Sequence, residues 1–206
     1  MASNNLAYDI FKKNIDAVDS LLSIHEILLQ TLPLLKEQSD ELLRAIIVLS
    51  VSALDNYLHD FYRTEIVEGF LGTGNFDVKF EKIKISIRLI KEMNDSFSEG
   101  EKKVFLNNEL RKIQKTESFQ SQKSIENIFS TINVKNVWSK LEVIMKIKAQ
   151  TIKDELGIII DRRNKISHES DWDYFNMRKN LIEIQEVKDV VTFIKNFVQA
   201  INTVAP

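Results

Sequence analysis

The stretch LLRAIIVLSVSALDNYLHDFYR, residues 42–63, decides the fold. Its apolar residues recur every three or four positions, which is the period of an α-helix. Near the centre they cover almost the whole circumference, so we expect residues 39–68 to form the central, most buried helix. Ser39 is expected to cap its N-terminus, with Asp40 and Glu41 in the first turn, where the helix dipole favours acidic residues.

Segments with the same period lie on both sides of this helix. Proline occurs only at positions 33 and 206, and glycine only five times, so few residues interrupt helices between them. We predict main helices over residues 4–31, 39–68, 135–165 and 184–204, and shorter ones near 79–94, 99–114 and 123–131. The sequence therefore predicts one all-α domain over residues 1–206, a four-helix core with a more polar helical insertion at about 75–132.

Composition narrows the classes of function. The 206 residues suffice for a sizeable core, and a net charge of −2 argues against a sequence-specific DNA-binding protein. It leaves room for an RNA-processing enzyme with a local basic cleft. The absence of cysteine excludes a disulfide framework, a cysteine nucleophile and thiolate zinc sites. Because we see neither a signal peptide nor an apolar run of about 20 residues, we expect a cytoplasmic protein that binds no membrane.

Familiar catalytic motifs are missing from the sequence. The three histidines, His25, His59 and His168, form no HExxH pair, and the GTG at 72–74 lacks the rest of a phosphate-binding loop. We therefore expect neither a metal nor a cofactor. No GxSxG elbow occurs, although a Ser/His/Asp triad assembled from distant residues stays an open alternative. Basic runs at 79–91 and 140–165 are either solvated helix faces or a path for a phosphate backbone.

The stretch IIIDRRNKISHESDWD, residues 158–173, raises the question of chemistry. On a regular helix, five residues turn about 500°, so Arg163 and His168 stand roughly 140° apart, unless the helix frays near Ser167. Asn164 shares the face of His168. One interpretation is a charged helix end that complements the dipole. The other is a phosphodiester-cleaving site, because histidine moves protons and arginine stabilises charge on phosphate.

The residues in this stretch resemble those of a known family. RNKISH, residues 163–168, fits the R-x4-6-H motif of HEPN domains, and residues 160–173 are similar to the RRNxIAHExD stretch of the RiboL-PSP subgroup. Residues 42–63 look like the long second helix of HEPN proteins, and 184–204 like their closing helix. The resemblance implies a HEPN-like four-helix up-and-down bundle. It also implies a metal-independent endoribonuclease from a bacterial toxin–antitoxin or anti-phage system, acting as a homodimer with a composite active site.

The resemblance also implies roles for individual residues. It makes Arg163 and His168 the catalytic pair, with Asn164 and Asp55 in support. The RNA 2′-OH would attack the adjacent phosphate, with His168 in proton transfer and Arg163 on the phosphate. Further expected roles are phosphate or RNA binding for Arg162 and Lys165, with a salt bridge as the alternative for Arg162, and bracing of the histidine by Glu169 and Asp171. A cognate antitoxin protein is a possible partner. The alternative function is a non-catalytic HEPN module for dimerisation or for binding a partner or nucleotide.

Overall fold

The computed structural model describes residues 3–72, 83, 87–94 and 98–205. Within these ranges the chain forms eight α-helices: α1 (Ser3–Thr31), α2 (Lys36–Phe70), α3 (Ile87–Asn94), α4 (Glu99–Ile113), α5 (Gln122–Thr131), α6 (Val137–Met145), α7 (Ala149–Glu169) and α8 (Ile184–Val204). Two short 3-10 helices, Pro33–Leu35 and Gln114–Thr116, and one antiparallel pair of strands, β1 (Trp172–Asp173) and β2 (Arg178–Lys179), are also present. The all-α prediction is confirmed.

Helix α2 is the centre of the bundle. It packs against α1, α7 and α8, and most of its apolar side chains are buried. The fully buried set is Ile46, Ile47, Val51, Leu54, Leu58 and Phe61. The expected central helix is therefore present, because a segment apolar on nearly all sides is stable only when other helices surround it.

The start of α2 differs from the prediction. The helix begins at Lys36, directly after the 3-10 turn Pro33–Leu35, and Ser39 is a buried residue inside its first turns rather than the N-cap. Proline fits the first turn of a helix because its fixed φ is already helical and its missing N–H needs no partner. The chain therefore becomes helical several residues before the serine.

The predicted helix over residues 135–165 is wrong as a single element. Helix α6 ends at Met145 and α7 begins at Ala149, with Lys146 in the left-handed region at φ 56°. The Glu142 carboxylate accepts a hydrogen bond from the Ala149 backbone N–H at 3.0 Å and so caps the new helix. The apolar spacing continues across this break, which is why periodicity alone did not reveal it.

The insertion joins the rest of the protein at two places. Met93, Leu106 and Leu110 of α3 and α4 pack against Ile66 and Val67 near the end of α2. The following α5 belongs to the main core, contrary to the expectation that the insertion lies outside it; its buried members there are Ile125, Ile128 and Phe129. Of the helix expected near 79–94, only Ile87–Asn94 is described, so most of the basic run at 79–91 lies outside the described residues.

One segment also meets a length-and-composition test for crossing a membrane. Residues 33–70, with a mean hydropathy of 1.2 in the most apolar window, are long enough to span a bilayer, and 56% of that window is buried inside the protein. The central helix of a soluble protein passes the same test, because it is also long and apolar; its apolar surface is covered by other helices. The packing around α2 agrees with that interpretation.

Candidate functional site

Helix α7 carries the arginine–histidine motif and continues without a break to Glu169. Its buried residues Ile152, Leu156 and Ile159 face the main core, and Ile166 packs against a second cluster that contains Leu43 of α2. This apolar stripe fixes the rotation of the helix. The fraying near Ser167 that could bring Arg163 and His168 together does not occur, so the two side chains leave the helix about 140° apart.

Arg163 and His168 occupy different environments. The Arg163 side chain is half-buried beside the apolar stripe, and its Nε is shielded from solvent without a hydrogen-bond partner in the described part of the chain. His168 is exposed and shares its face with Asn164, which is half-buried. Neither the guanidinium nor the imidazole makes a hydrogen bond or salt bridge with a described residue. Both groups are therefore free to meet a ligand.

Arg162 has a different role from its neighbour. Its guanidinium donates to Asp171 Oδ1 at 2.7 Å and to the Leu181 carbonyl at 2.9 Å, and it lies 3.9 Å from Glu186 Oε1. Of the two roles considered for Arg162, these contacts match the salt bridge. The guanidinium is already engaged, which leaves little of it to bind a phosphate.

Asp171 is the hub of this engagement. Its side chain is 0% exposed, and it binds Arg162 through Oδ1 and Arg44 Nε through Oδ2 at 2.8 Å. Asn180 Nδ2 donates to Oδ1 as well, at 3.0 Å. The carboxylate therefore braces two arginines, and the structure does not bring it to His168. The carboxylate is held tightly by these three donors, because a buried charge cannot exchange them for hydrogen bonds to water.

The chain reverses sharply at this carboxylate. Ser170 and Asp171 both adopt left-handed backbone conformations, at φ 51° and 60°, which are uncommon for residues other than glycine. The Asp171 N–H donates to the Lys165 carbonyl at 3.1 Å, and the Asn180 N–H donates to the Asp171 carbonyl at 2.9 Å. The end of the motif helix and the following hairpin are thus tied to one another.

Sequence reasoning missed Arg44. It lies on α2, is buried, and donates to Asp171, to Glu41 at 3.1 Å and to the Asn180 carbonyl at 2.6 Å. One signal could have found it, because it is the single charge within the apolar run LLRAII, residues 42–47. A lone arginine on the most buried helix needs an acidic partner.

Strands β1 and β2 form a short hairpin after the motif. Trp172 pairs with Lys179 and Asp173 with Arg178, and Lys179 Nζ contacts both Glu41 carboxylate oxygens at 2.7 Å. Asp173 accepts hydrogen bonds from the backbone N–H groups of Phe175 and Asn176, at 3.0 and 3.1 Å, and from the Asn176 amide. The Asn176 amide is the main cause that lowers the pKa of the Asp173 carboxyl.

Asp55 lies where α2 contacts the insertion. Its Oδ1 accepts from the Phe119 N–H at 2.8 Å, and its Oδ2 lies 3.7 Å from His59 Nε2, whose ring stacks on Phe119 at 4.2 Å. Asp55 follows Arg44 by eleven residues, roughly 16 Å along α2. It therefore fastens the insertion to α2 and makes no hydrogen bond or salt bridge with Arg163 or His168.

The remaining predicted site residues lie on the surface of α7. Lys165 and Glu169 are exposed and make no hydrogen bond or salt bridge through their side chains with any residue that the structure describes. Lys165 is therefore available to a phosphate group. In the same described ranges, no group of three histidine, aspartate or glutamate side chains is arranged to hold a metal ion.

Comparison with known families agrees with this architecture. A sequence model of the RiboL-PSP-HEPN family matches residues 4–205, nearly the whole chain. Comparisons with curated proteins and with solved structures find no match. The match includes the bundle helices, the insertion and the arginine–histidine motif together. The chain therefore belongs to the RiboL-PSP-type HEPN family.

Proposed function

We propose that this protein is a metal-independent HEPN endoribonuclease. It cleaves RNA by the attack of a 2′-OH group of the RNA on the adjacent phosphate. The observation that carries the proposal is the contrast between neighbours on α7. Arg162 is bound to buried Asp171, whereas Arg163 and His168 have no partner among the described residues. A scaffold has no need of a free arginine and a free histidine at this spacing, but a phosphodiester-cleaving site needs both.

The chemistry assigns each group a step. The 2′-oxygen forms a bond to phosphorus as its proton passes to a base, and the bond from phosphorus to the 5′-oxygen breaks as that oxygen receives a proton. The products are a 2′,3′-cyclic phosphate and a 5′-OH end. His168 moves protons, since histidine is the side chain that accepts and donates them near neutral pH. Arg163 neutralises the charge that gathers on the phosphate oxygens.

The geometry of α7 favours a site shared by two copies of the chain. Arg163 and His168 leave the helix about 140° apart, and the stem of Arg163 runs along the buried side, so one protomer directs them to different places. A homodimer brings the two groups together if the arginine of one protomer faces the histidine of the other. Two-fold symmetry then gives two such arginine–histidine pairs, each with residues from both chains.

The central experiment is cleavage of labelled single-stranded and transfer RNA by purified protein in excess EDTA. We expect cleavage by the wild type, with cyclic phosphate ends, and its loss in Arg163→Ala and His168→Ala. His59→Ala is the matched control, because His59 is the half-buried histidine on α2 that packs on Phe119. If the wild type and both motif variants leave the RNA equally intact, the protein is instead a binding or dimerisation module.

The proposed setting is a bacterial toxin–antitoxin or anti-phage system in the cytoplasm. A ribonuclease that attacks cellular RNA harms its own host, so its activity needs restraint by a partner protein or a trigger. We expect wild-type expression to arrest growth and His168→Ala expression not to do so. Co-expression with the product of a neighbouring gene should relieve the arrest if that product is the antitoxin.

A further inference from the structure

The hairpin that follows the motif exposes an unusual set of side chains. Four residues connect β1 to β2, and three of them are large and apolar: Tyr174 is 70% exposed, Phe175 95% and Met177 77%. Trp172, at the base of the hairpin, is 41% exposed. Exposed apolar residues clustered in this way mark a surface that binds something.

Hydrogen bonds fix the backbone of the hairpin before any ligand arrives. Asp173 accepts the backbone N–H groups of Phe175 and Asn176, which fixes the turn, and buried Asp171 fixes the base of the hairpin to α2 and α7. Lys179 adds a second attachment to α2 through Glu41. A fixed turn keeps the rings on one short loop, so a ligand does not have to order the backbone of that loop first.

The surrounding charges indicate what the ligand carries. A groove of about 400 Å³ beneath the hairpin is lined by three cations, Arg162, Arg178 and Lys179, and two carboxylates, those of Asp173 and Glu186. Among the described residues, the side chains of Arg178 and Lys165 make no hydrogen bond or salt bridge, although the charge of Arg178 interacts with that of Asp173. Planar rings beside free cations match the bases and phosphates of a nucleic acid strand.

We propose that Trp172, Tyr174 and Phe175 form a stacking platform for unpaired bases of an RNA strand, with Arg178 on its phosphates. The inference rests on the ribonuclease function proposed above and assigns its substrate class, single-stranded or looped RNA. Every base has a ring face, so the platform holds a strand without selecting its sequence. Because Trp172 follows His168 by only four residues, a strand stacked there lies near the proposed proton-transfer group.

The test uses a short single-stranded 2′-O-methyl oligonucleotide, which lacks the attacking hydroxyl and is not cleaved. The chain has two tryptophans, and Trp138 is only 7% exposed, so stacking should quench the fluorescence of Trp172. The quenching should persist in Trp138→Phe and disappear in Trp172→Phe. A duplex of the same sequence, whose bases are already stacked, should bind several-fold more weakly.

A matched pair of substitutions separates base stacking from an apolar protein contact. Phe175→Leu keeps the apolar surface but removes the ring, and we expect it to weaken oligonucleotide binding about ten-fold or more, whereas Phe175→Trp retains it. Val143→Ser is the control, since Val143 is 77% exposed on α6, which precedes the start of α7, whereas the hairpin follows the end of α7. Arg178→Ala should reduce the slope of log affinity against log salt by about one.

Two results overturn the platform. One is unchanged affinity and quenching in Phe175→Leu. The other is a shift of Phe175→Ser, which removes the apolar surface as well as the ring, to a smaller species by light scattering, which would make the hairpin a self-association surface. The proposed ribonuclease activity fails separately. If the wild type binds the oligonucleotide through these rings but leaves unmodified RNA intact in EDTA, the stacking platform is supported and the ribonuclease activity is not. If the wild type cleaves RNA but Phe175→Leu binds the oligonucleotide as tightly as the wild type, the activity is supported and the platform is not.

Discussion

Arg44 Nε and Asp171 Oδ2 lie 2.8 Å apart although the two residues are separated by 127 positions in the sequence. This contact joins the central helix α2 to the turn directly after the histidine of the motif. Arg162 binds the other oxygen of the same carboxylate, so three segments of the chain meet there. The position of the motif helix relative to the hairpin depends on this buried charge.

Removing the charge should destabilise the fold. Asp171→Asn removes the buried carboxylate that Arg44 and Arg162 share and leaves them only the half-exposed Glu41 and Glu186 as counter-charges, so we expect the free energy of unfolding to fall by about 3 kcal/mol. Urea denaturation followed by circular dichroism measures the change. Asp161→Asn is the control, because Asp161 on α7 is exposed and its loss should change stability by less than about 0.5 kcal/mol. Equal stability of the two variants would falsify the role of Asp171 as the hub.

The adjacent arginines should respond to substitution in opposite ways. Arg162→Ala breaks the contacts to Asp171 and to the Leu181 carbonyl, so we expect a loss of about 1–3 kcal/mol of stability. Arg163→Ala should lower RNA cleavage by about 100-fold or more, with a smaller loss of stability. Urea midpoints and single-turnover cleavage rates of both variants provide the comparison. The reverse pattern would assign the reactive arginine to position 162.

Mixed dimers can distinguish a shared cleft from a site within one protomer. A dimer of one Arg163→Ala and one His168→Ala protomer keeps an arginine and a histidine on different chains, and we expect it to recover measurable cleavage. A dimer of the wild type with the Arg163→Ala/His168→Ala double variant keeps them on the same chain and should be the less active of the two. Co-expression with different tags and tandem purification gives both species. The opposite ranking would place the complete site in one protomer.

Buried His25 should make stability depend on pH. The side chain is 1% exposed, and neither ring nitrogen has a hydrogen-bond partner among the described residues. Burial is the main cause that lowers the pKa of His25; Asp40 and Glu26 oppose the shift, and Lys36 and Lys188 add to it. Because the unfolded chain then binds the proton more readily, stability should fall as the pH drops below about 6.5 and level off below the folded-state pKa.

The corresponding measurement is the urea midpoint between pH 8 and pH 5 for the wild type and for His25→Leu. Leucine cannot take up a proton, so the decline in midpoint below pH 6.5 should be shallower in the variant. A decline of equal steepness in both proteins would show that other groups cause it.

Much of the helical architecture follows from local patterns. Residues 184–204 were predicted as a helix, and α8 has those same limits, because its apolar residues recur regularly between polar neighbours. The break at Lys146 and the early start of α2 were not predicted. In the first case the apolar spacing runs on across the turn, and in the second the proline before the helix, and not the serine within it, determines the beginning.

The candidate site divides in the same way. The sequence alone identified Arg163, Asn164 and His168 as a recognisable family motif and placed the first two on a predicted helix that ended near residue 165, whereas the structure continues that helix through His168 to Glu169. Only the tertiary structure decided that Asp171 is shared by Arg44 and Arg162, that Asp55 holds the insertion, and that the hairpin presents its rings to solvent. These contacts join residues far apart in sequence, and their formation depends on which helices pack together and not on local periodicity.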